Sequence, residues 1–301
     1  MSNTTASLRQ QISRAGDLQS VVRTMKAVAA SSIGQYENSV RALADYYRTV
    51  EVGLGAYLRE HGLVPSKTGR KQQTVAGTTA AVVFGSDQGL VGRFNDVVAD
   101  YAVKTLAALP TKPEVWAVGE RVHARLEDAG LAPVGLFTVP NSVKAITPLV
   151  GQILVQSESR HSHSEVSELH LFYNRPTSGE VYTPVGQRLL PLDESWQSKL
   201  TETPWPTELL PEVMGGGTSI LRALVREYVF VSLFRACAES LASENSSRLA
   251  AMQRADKNID ELLEALNRTF HRLRQSSIDE ELFDVVSGFE ALSSEHRGAV
   301  P

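Results

Sequence analysis

The chain has 301 residues, 42% of them hydrophobic, and a formal net charge of −4. That length allows a packed domain plus an extended element, the apolar content argues against global disorder, and the mild acidity argues against bulk electrostatic binding of nucleic acid. The single cysteine, Cys237, excludes an internal disulfide framework and fits a reducing compartment, where it reads as a small core residue.

The first ten residues are polar and lack the apolar segment of a secretory signal. No run of about 18 apolar residues is present to span a bilayer, so membrane association is expected only through partners. Residues 3–59 read as one long helix. Ile33, Tyr36, Val40, Leu43, Tyr47, Val50, Leu54 and Tyr57 alternate spacings of three and four, and Leu8, Ile12, Ala15, Val22, Met25 and Ala29 carry a looser stripe upstream. Residues 61–73 (HGLVPSKTGRKQQ) read as a linker.

Strands and helices then alternate. Strands are expected at 79–85, 114–119, 135–139 and 168–173. Helices are expected at 94–109, 120–129 and 143–157, with Pro148 awkward in the last. An edge strand is expected at 181–191, where Pro184 is tolerable. This order predicts a small Rossmann-like α/β domain, within bounds 74–192, with a mostly parallel sheet. Residues 193–217 read as irregular, ending in Gly215, Gly216 and Gly217, with Thr218 or Ser219 as the cap of a second long helix.

From 218 to 292 there is no Pro, and until Gly288 no Gly. Leu224, Val231, Ala238, Met252, Ile259, Leu266 and Leu273 recur at sevens, with Asn245 the polar member of the series. Such a stripe predicts a coiled-coil seam. At 1.5 Å per residue, about 70 residues make a rod of roughly 110 Å, longer than one small domain can bury. Paired antiparallel with the helix of residues 1–60, it gives an α/β protein with a long coiled coil made by its two ends.

Chemistry is scarce. The loop 85–95 (GSDQGLVGRFN) joins a strand to a helix, and Gly85, Gly89 and Gly92 with Asp87 suit either a structural turn or an anion site at a helix N-terminus. The glycines do not form a dinucleotide or P-loop fingerprint. His161 and His163 lie in a polar loop without a third ligand. Glu280, Glu281 and Asp284 form an acidic run that reads as a solvated or interface face. No catalytic, cofactor-binding or metal-binding set is expected.

The two ends carry a resemblance. Residues 8–31 (LRQQISRAGDLQSVVRTMKAVAAS) are similar to the opening helix of the gamma subunit of rotary F-type ATP synthases, most closely at Thr24, Met25, Lys26, Val28, Ala29 and Ala30. The loop GSDQGLVGRFN resembles that family's Gly-rich loop. Residues 239–263 resemble its Ser-Glu-x-x-x-Arg segment. Arg274, Gln275, Ile278, Glu281, Ser287 and Gly288 match its terminal signature in part. Departures stand at Ser31, Ser32, Val91, Arg93, Asp279 and Phe289 and mark a divergent branch.

The resemblance implies a non-catalytic central-stalk rotor of a proton- or sodium-transporting ATPase, needing no cofactor. Implied partners are the alpha and beta subunits of the hexamer, the epsilon subunit and the c-subunit ring, with no nucleic acid. The implied location is the cytoplasmic face of a bacterial or archaeal membrane, held peripherally through the ring. By the same resemblance Met25, Lys26, Arg274, Gln275, Asp279 and Glu281 would face the stator. Leu43, Val50, Met252, Ile259, Leu266 and Leu273 would form the seam of the shaft, residues 1–60 and 218–292. Asn245 would ease rotation against a sleeve. The competing reading is a free α/β nucleotide-binding protein or enzyme with a helical dimerisation arm, resting on the loop 85–95.

Overall fold

The computed structural model describes residues 4–64, 78–159, 166–178, 180–209, 211 and 217–297. His161, His163, Gly215, Gly216 and most of the expected linker 61–73 lie outside the described residues. The chain divides into two compact units, one made of residues 1–27 and 250–301, the other of residues 28–249. Helices α1 (Thr5–His61) and α6 (Gly217–Arg297) each contribute to both.

In the larger unit, β1 (Thr78–Phe84), α2 (Phe94–Leu106), β2 (Glu114–Val118), α3 (Glu120–Asp128), β3 (Gly135–Phe137), α4 (Ile146–Ser159), β4 (Val166–Arg175) and β5 (Thr183–Leu190) come in order. The five-stranded sheet runs β3-β2-β1-β4-β5. Its first four strands are parallel, and β5 closes one edge antiparallel to β4. Pro184 therefore sits on an edge strand, where a missing N–H costs no central ladder bond.

The apolar runs are buried on both faces, as parallel strands require. On one face Ala81, Val83, Val115, Ala117 and Phe172 pack with Val98, Ala99, Ala102 and Leu106 of α2 and Val122 and Leu126 of α3. On the other, Val82, Phe84, Trp116, Val118, Leu171 and Tyr173 share one core with Leu54, Tyr57 and Leu58 of α1, Val150 of α4 and Tyr228, Leu233 and Leu241 of α6. The period of two in a strand assigns these sets to opposite faces.

Three sequence expectations are corrected. A short 3₁₀ turn, Val143–Ala145, precedes α4, which begins at Ile146 and places Pro148 in the first turn, where its missing N–H would have had no helical partner. The stretch expected to be irregular contains α5 (Glu194–Glu202), capped by Asp193, whose carboxylate accepts from the Trp196 backbone N–H at 3.1 Å. Gly217 already opens α6, so Thr218 and Ser219 lie inside its first turn and do not precede it as caps.

The expected single stripe on α6 also gives way inside the larger unit. There α6 is buried nearly all round from Tyr228 to Ser247, with Arg235 the exposed exception, because the sheet and α1 both pack on it. Asn245 is 9% exposed and donates to the Leu241 carbonyl of its own helix at 2.8 Å. It therefore lies in the interior of its own chain and does not face a sleeve. Val50 is buried and Leu43 packs half-buried against the same core.

In the smaller unit the two helices pair antiparallel. Val22 of α1 packs with Met252 and Ile259 of α6, flanked by Met25, Ala251, Ala255 and Leu263. Further along the pair, the Arg9 guanidinium lies over the Phe270 ring at 5.6 Å. Leu266 and Leu273 are half-buried.

Candidate functional site

The loop after β1 is filled by its own polar groups. Ser86 N–H donates to Asn95 Oδ1 at 2.9 Å, and Asn95 Nδ2 donates back to Ser86 Oγ at 2.8 Å. Asp87 accepts from the backbone N–H of Glu120, first residue of α3, at 3.0 Å and from that of Val139 at 2.9 Å. Asp87 thus fills the N-terminus of α3, while α2, the helix this loop leads into, has no side-chain cap at Arg93. Glycine is required by close approach: a Cβ on Gly85 would collide with the Val122 side chain, and Gly119, at φ +118°, lies against the Ser86 backbone. Gly92 adopts φ +58°, and Gly89 is nearly open. The geometry is that of a turn locking strand to helix.

The polar segment of α6 from Glu239 to Arg248 is folded inward beside this loop. Glu244 and Arg248 pair at 2.6 Å, and burial pushes the Glu244 carboxyl up, opposed by the Arg248 charge. Cys237 is buried and its thiol is likewise pushed up by burial, which makes it unreactive.

The residues expected at a partner surface fall in the smaller unit. Lys26 Nζ lies 3.1 Å from Asp256 Oδ2, and Arg23 Nε lies 3.1 Å from Asp256 Oδ1. The hydrogen bond from Lys26, reinforced by Arg23, holds the Asp256 carboxyl below its ordinary range. Gln19 donates to Asp260 in the same row. Met25 is half-buried against the Val22 cluster. Arg274, Gln275, Asp279, Glu280, Glu281 and Asp284 are exposed on α6 and make no ion pair among the described residues.

Of the apolar residues between those charges, the sequence singles out Ile278 alone. Ile278, Leu282, Phe283, Val285 and Val286 are exposed, Phe283 and Val285 each to 70%. A clustered exposed apolar patch of this kind marks an interaction surface. The signal was present: the series at sevens ends at Leu273, its next member would be Glu280, and the apolar residues beyond leave the seam positions. Among the described residues no group of three or more His, Cys, Asp or Glu side chains is placed to hold a metal. No helix among them is long and apolar enough to cross a membrane.

Two end helices paired in opposite directions, with an α/β domain inserted between them in the chain, define a helical-hairpin protein with an inserted α/β domain. The ATP synthase family model matches residues 4–292. A gamma chain of ATP synthase from Cyanothece sp. is 30% identical over 318 residues, spanning 95% of this chain and 98% of the relative. That of Dechloromonas aromatica is 26% identical over 291 residues, again spanning 95% and 98%. The rotor of the mitochondrial ATP synthase of Euglena gracilis, seen by cryo-EM, shares the fold at TM-score 0.61 and 15% identity, covering 91% of this chain and 98% of that one. The chain belongs to the ATP synthase family, among its gamma chains. It is a non-catalytic subunit of that complex and its central-stalk rotor.

Proposed function

We propose that the chain works by turning inside a hexamer of alpha and beta subunits, driven through a c-subunit ring on which its α/β domain sits beside an epsilon subunit. The membrane association is peripheral, through the ring, on the cytoplasmic face. Met25, Lys26, Arg274, Gln275, Asp279 and Glu281 are the residues assigned to the stator contact, and the apolar patch beyond Leu273 is added to them.

The observation that carries this reading is the end of α6. From residue 274 to 288 every side chain is exposed, and five of them are large and apolar. A contiguous exposed apolar stretch on one helix marks an interaction surface, and this chain supplies no cover for it among its described residues. A surrounding sleeve from other subunits meets the need. An apolar sleeve also suits rotation, because apolar contact is non-directional and carries no fixed register.

The test is co-expression with alpha and beta subunits of the same source. A complex that keeps the chain in substoichiometric amount and hydrolyses ATP is expected. A chain that purifies alone, binds nucleotide and stays out of such a complex would overturn the reading in favour of a free nucleotide-binding protein.

A further inference from the structure

Within the larger unit, one face of α6 carries a polar ladder bonded to the α/β domain, in a segment where Ser232, Ser240, Glu244 and Asn245 are buried as well. Glu239, Ser243 and Ser247 are spaced i, i+4, i+8, which places them on one face. Ser243 is 0% exposed, and Glu239 and Ser247 are buried. Each is bonded to the α/β domain. Glu239 Oε2 accepts from Arg175 Nε at 3.0 Å. Ser243 Oγ donates to the Asn174 carbonyl at 3.0 Å, and Ser247 Oγ donates to the Val91 carbonyl at 2.5 Å.

The groups they meet are themselves fixed. Asn174 and Arg175 end β4, and Val91 belongs to the loop after β1. Asn174 Nδ2 donates to the Phe94 carbonyl at 2.9 Å, joining the end of β4 to the start of α2. The second Glu239 oxygen accepts from Arg235 Nε at 2.8 Å, one turn back on α6. Among the described residues, Arg175–Glu239 is the one ion pair joining the α/β domain to α6.

Buried polar groups need partners wherever they occur, so bonding alone assigns no role. The choice of polar residues does. Apolar side chains at these positions would pack the same interface, and replacing buried ion pairs by well-packed apolar residues is often neutral or stabilising. Apolar packing, however, permits small sliding of a helix on its neighbour. Directional bonds at three successive levels permit one register only. Arg175 answers in kind, with its Nη2 donating to the Tyr173 hydroxyl at 2.6 Å, which holds the guanidinium from two sides.

We propose that Glu239, Ser243 and Ser247 are positioning residues that fix the rotational register of the α/β domain on α6, so that torque applied to the domain reaches the helix without lost motion. This rests on the rotor reading above. The test uses the assembled complex with a bead attached at Lys112→Cys, an exposed site, the native Cys237 being buried. With the hexamer stalled without ATP, angular fluctuation of the bead reports the stiffness of the path from domain to helix.

The triple variant Glu239→Gln, Ser243→Ala, Ser247→Ala is expected to keep its unfolding midpoint within about 5 °C of the parent. Its angular variance is expected to rise about twofold or more as the shear restraint is lost. Reversion of Ser243 alone is expected to recover part of the stiffness. A variance equal to the parent's overturns the proposal. Should the triple variant fail to fold, the double Ser243→Ala, Ser247→Ala variant carries the same two outcomes. Failure of the parent bead to turn on adding ATP would instead sink the rotor reading, a result separate from any variance.

Discussion

Asp87 caps α3 from 33 residues away, and the whole loop after β1 is built around that reach. Removing the carboxylate leaves the backbone N–H groups of Glu120 and Val139 to compete for water at a partly covered site. Asp87→Ala is therefore expected to lower the stability of the full chain by about 1–2 kcal/mol, read as a thermal or urea midpoint. Nucleotide binding at the hexamer's catalytic sites is expected to be unchanged. A midpoint equal to the parent's would show the two bonds to be dispensable. A different residue, Asp256, sets a dependence on pH. Its carboxyl is held below the ordinary value of 3.8 by Lys26 first and then Arg23. A carboxyl whose folded pKa is depressed contributes stability above its unfolded pKa and loses it as pH falls through the folded one. Asp260, also reached by Arg23, shares the row. Pairing of residues 19–26 with 252–260 is thus expected to loosen below about pH 4, seen as faster amide exchange at Val22 and Met252. Asp256→Asn should be looser at neutral pH and respond less to acid.

Among the elements, the seam residues are not equivalent. Ile259 is 7% exposed and Met252 3%, whereas Leu266 and Leu273 are half-buried. Ile259→Asp would place an unpaired charge in packed surroundings, costing about 3–5 kcal/mol. Leu266→Asp can turn its carboxylate to water and should cost well under half of that. Amide exchange across residues 250–270 in the two variants measures the difference, and equal loss would mean that Leu266 is covered as deeply as Ile259. The series at sevens made these positions visible in sequence, because a period held over so many turns has one physical cause. The parallel strands were visible for a similar reason, as continuous apolar runs bounded by Gly and Pro. Helix α5 was hidden: its apolar residues Trp196 and Leu200 are few, and prolines close by suggested a loop. Yet Asp193 directly before Glu194 was a legible start signal. The burial of α6 on all sides between Tyr228 and Ser247 was hidden too, since it depends on which elements pack there and not on the period of one helix. The polar ladder shares that origin. Glu239, Ser243 and Ser247 fall in sequence within the segment 239–263 that carries the resemblance, and nothing in that segment shows what they bond until the ends of β4 and β1 are brought to them.

For the whole molecule, the surfaces without partners are more informative than those with them. The charged residues Arg274, Asp279 and Glu281 and the apolar residues Leu282, Phe283 and Val285 share the same exposed stretch of α6. They make different demands on a sleeve. The apolar residues gain by being covered in every rotary position, at most about 1.5–3 kcal/mol for each side chain fully buried. Leu282→Ser, Phe283→Ser and Val285→Ser together are therefore expected to lower the yield of complex with alpha and beta subunits while leaving the folding of the chain unchanged. A normal yield would mean that the patch stays in water. Arg274 and Gln275 are different, because hydrogen bonds are made in some positions and broken in others. The planar guanidinium fork stays charged and can hold a carboxylate bidentately. If the pair merely stands in solvent, it contributes well under about 1 kcal/mol and its loss leaves hydrolysis unchanged. A contact confined to certain rotary states alters the barrier between them, and a differential loss of about 1.4 kcal/mol slows turnover roughly tenfold. Arg274→Ala with Gln275→Ala is accordingly expected to assemble normally and hydrolyse ATP several-fold more slowly, measured at matched complex concentration. A rate equal to the parent's at equal yield would remove the pair from the stator contact and shift attention to Asp279 and Glu281, one further turn along the same helix.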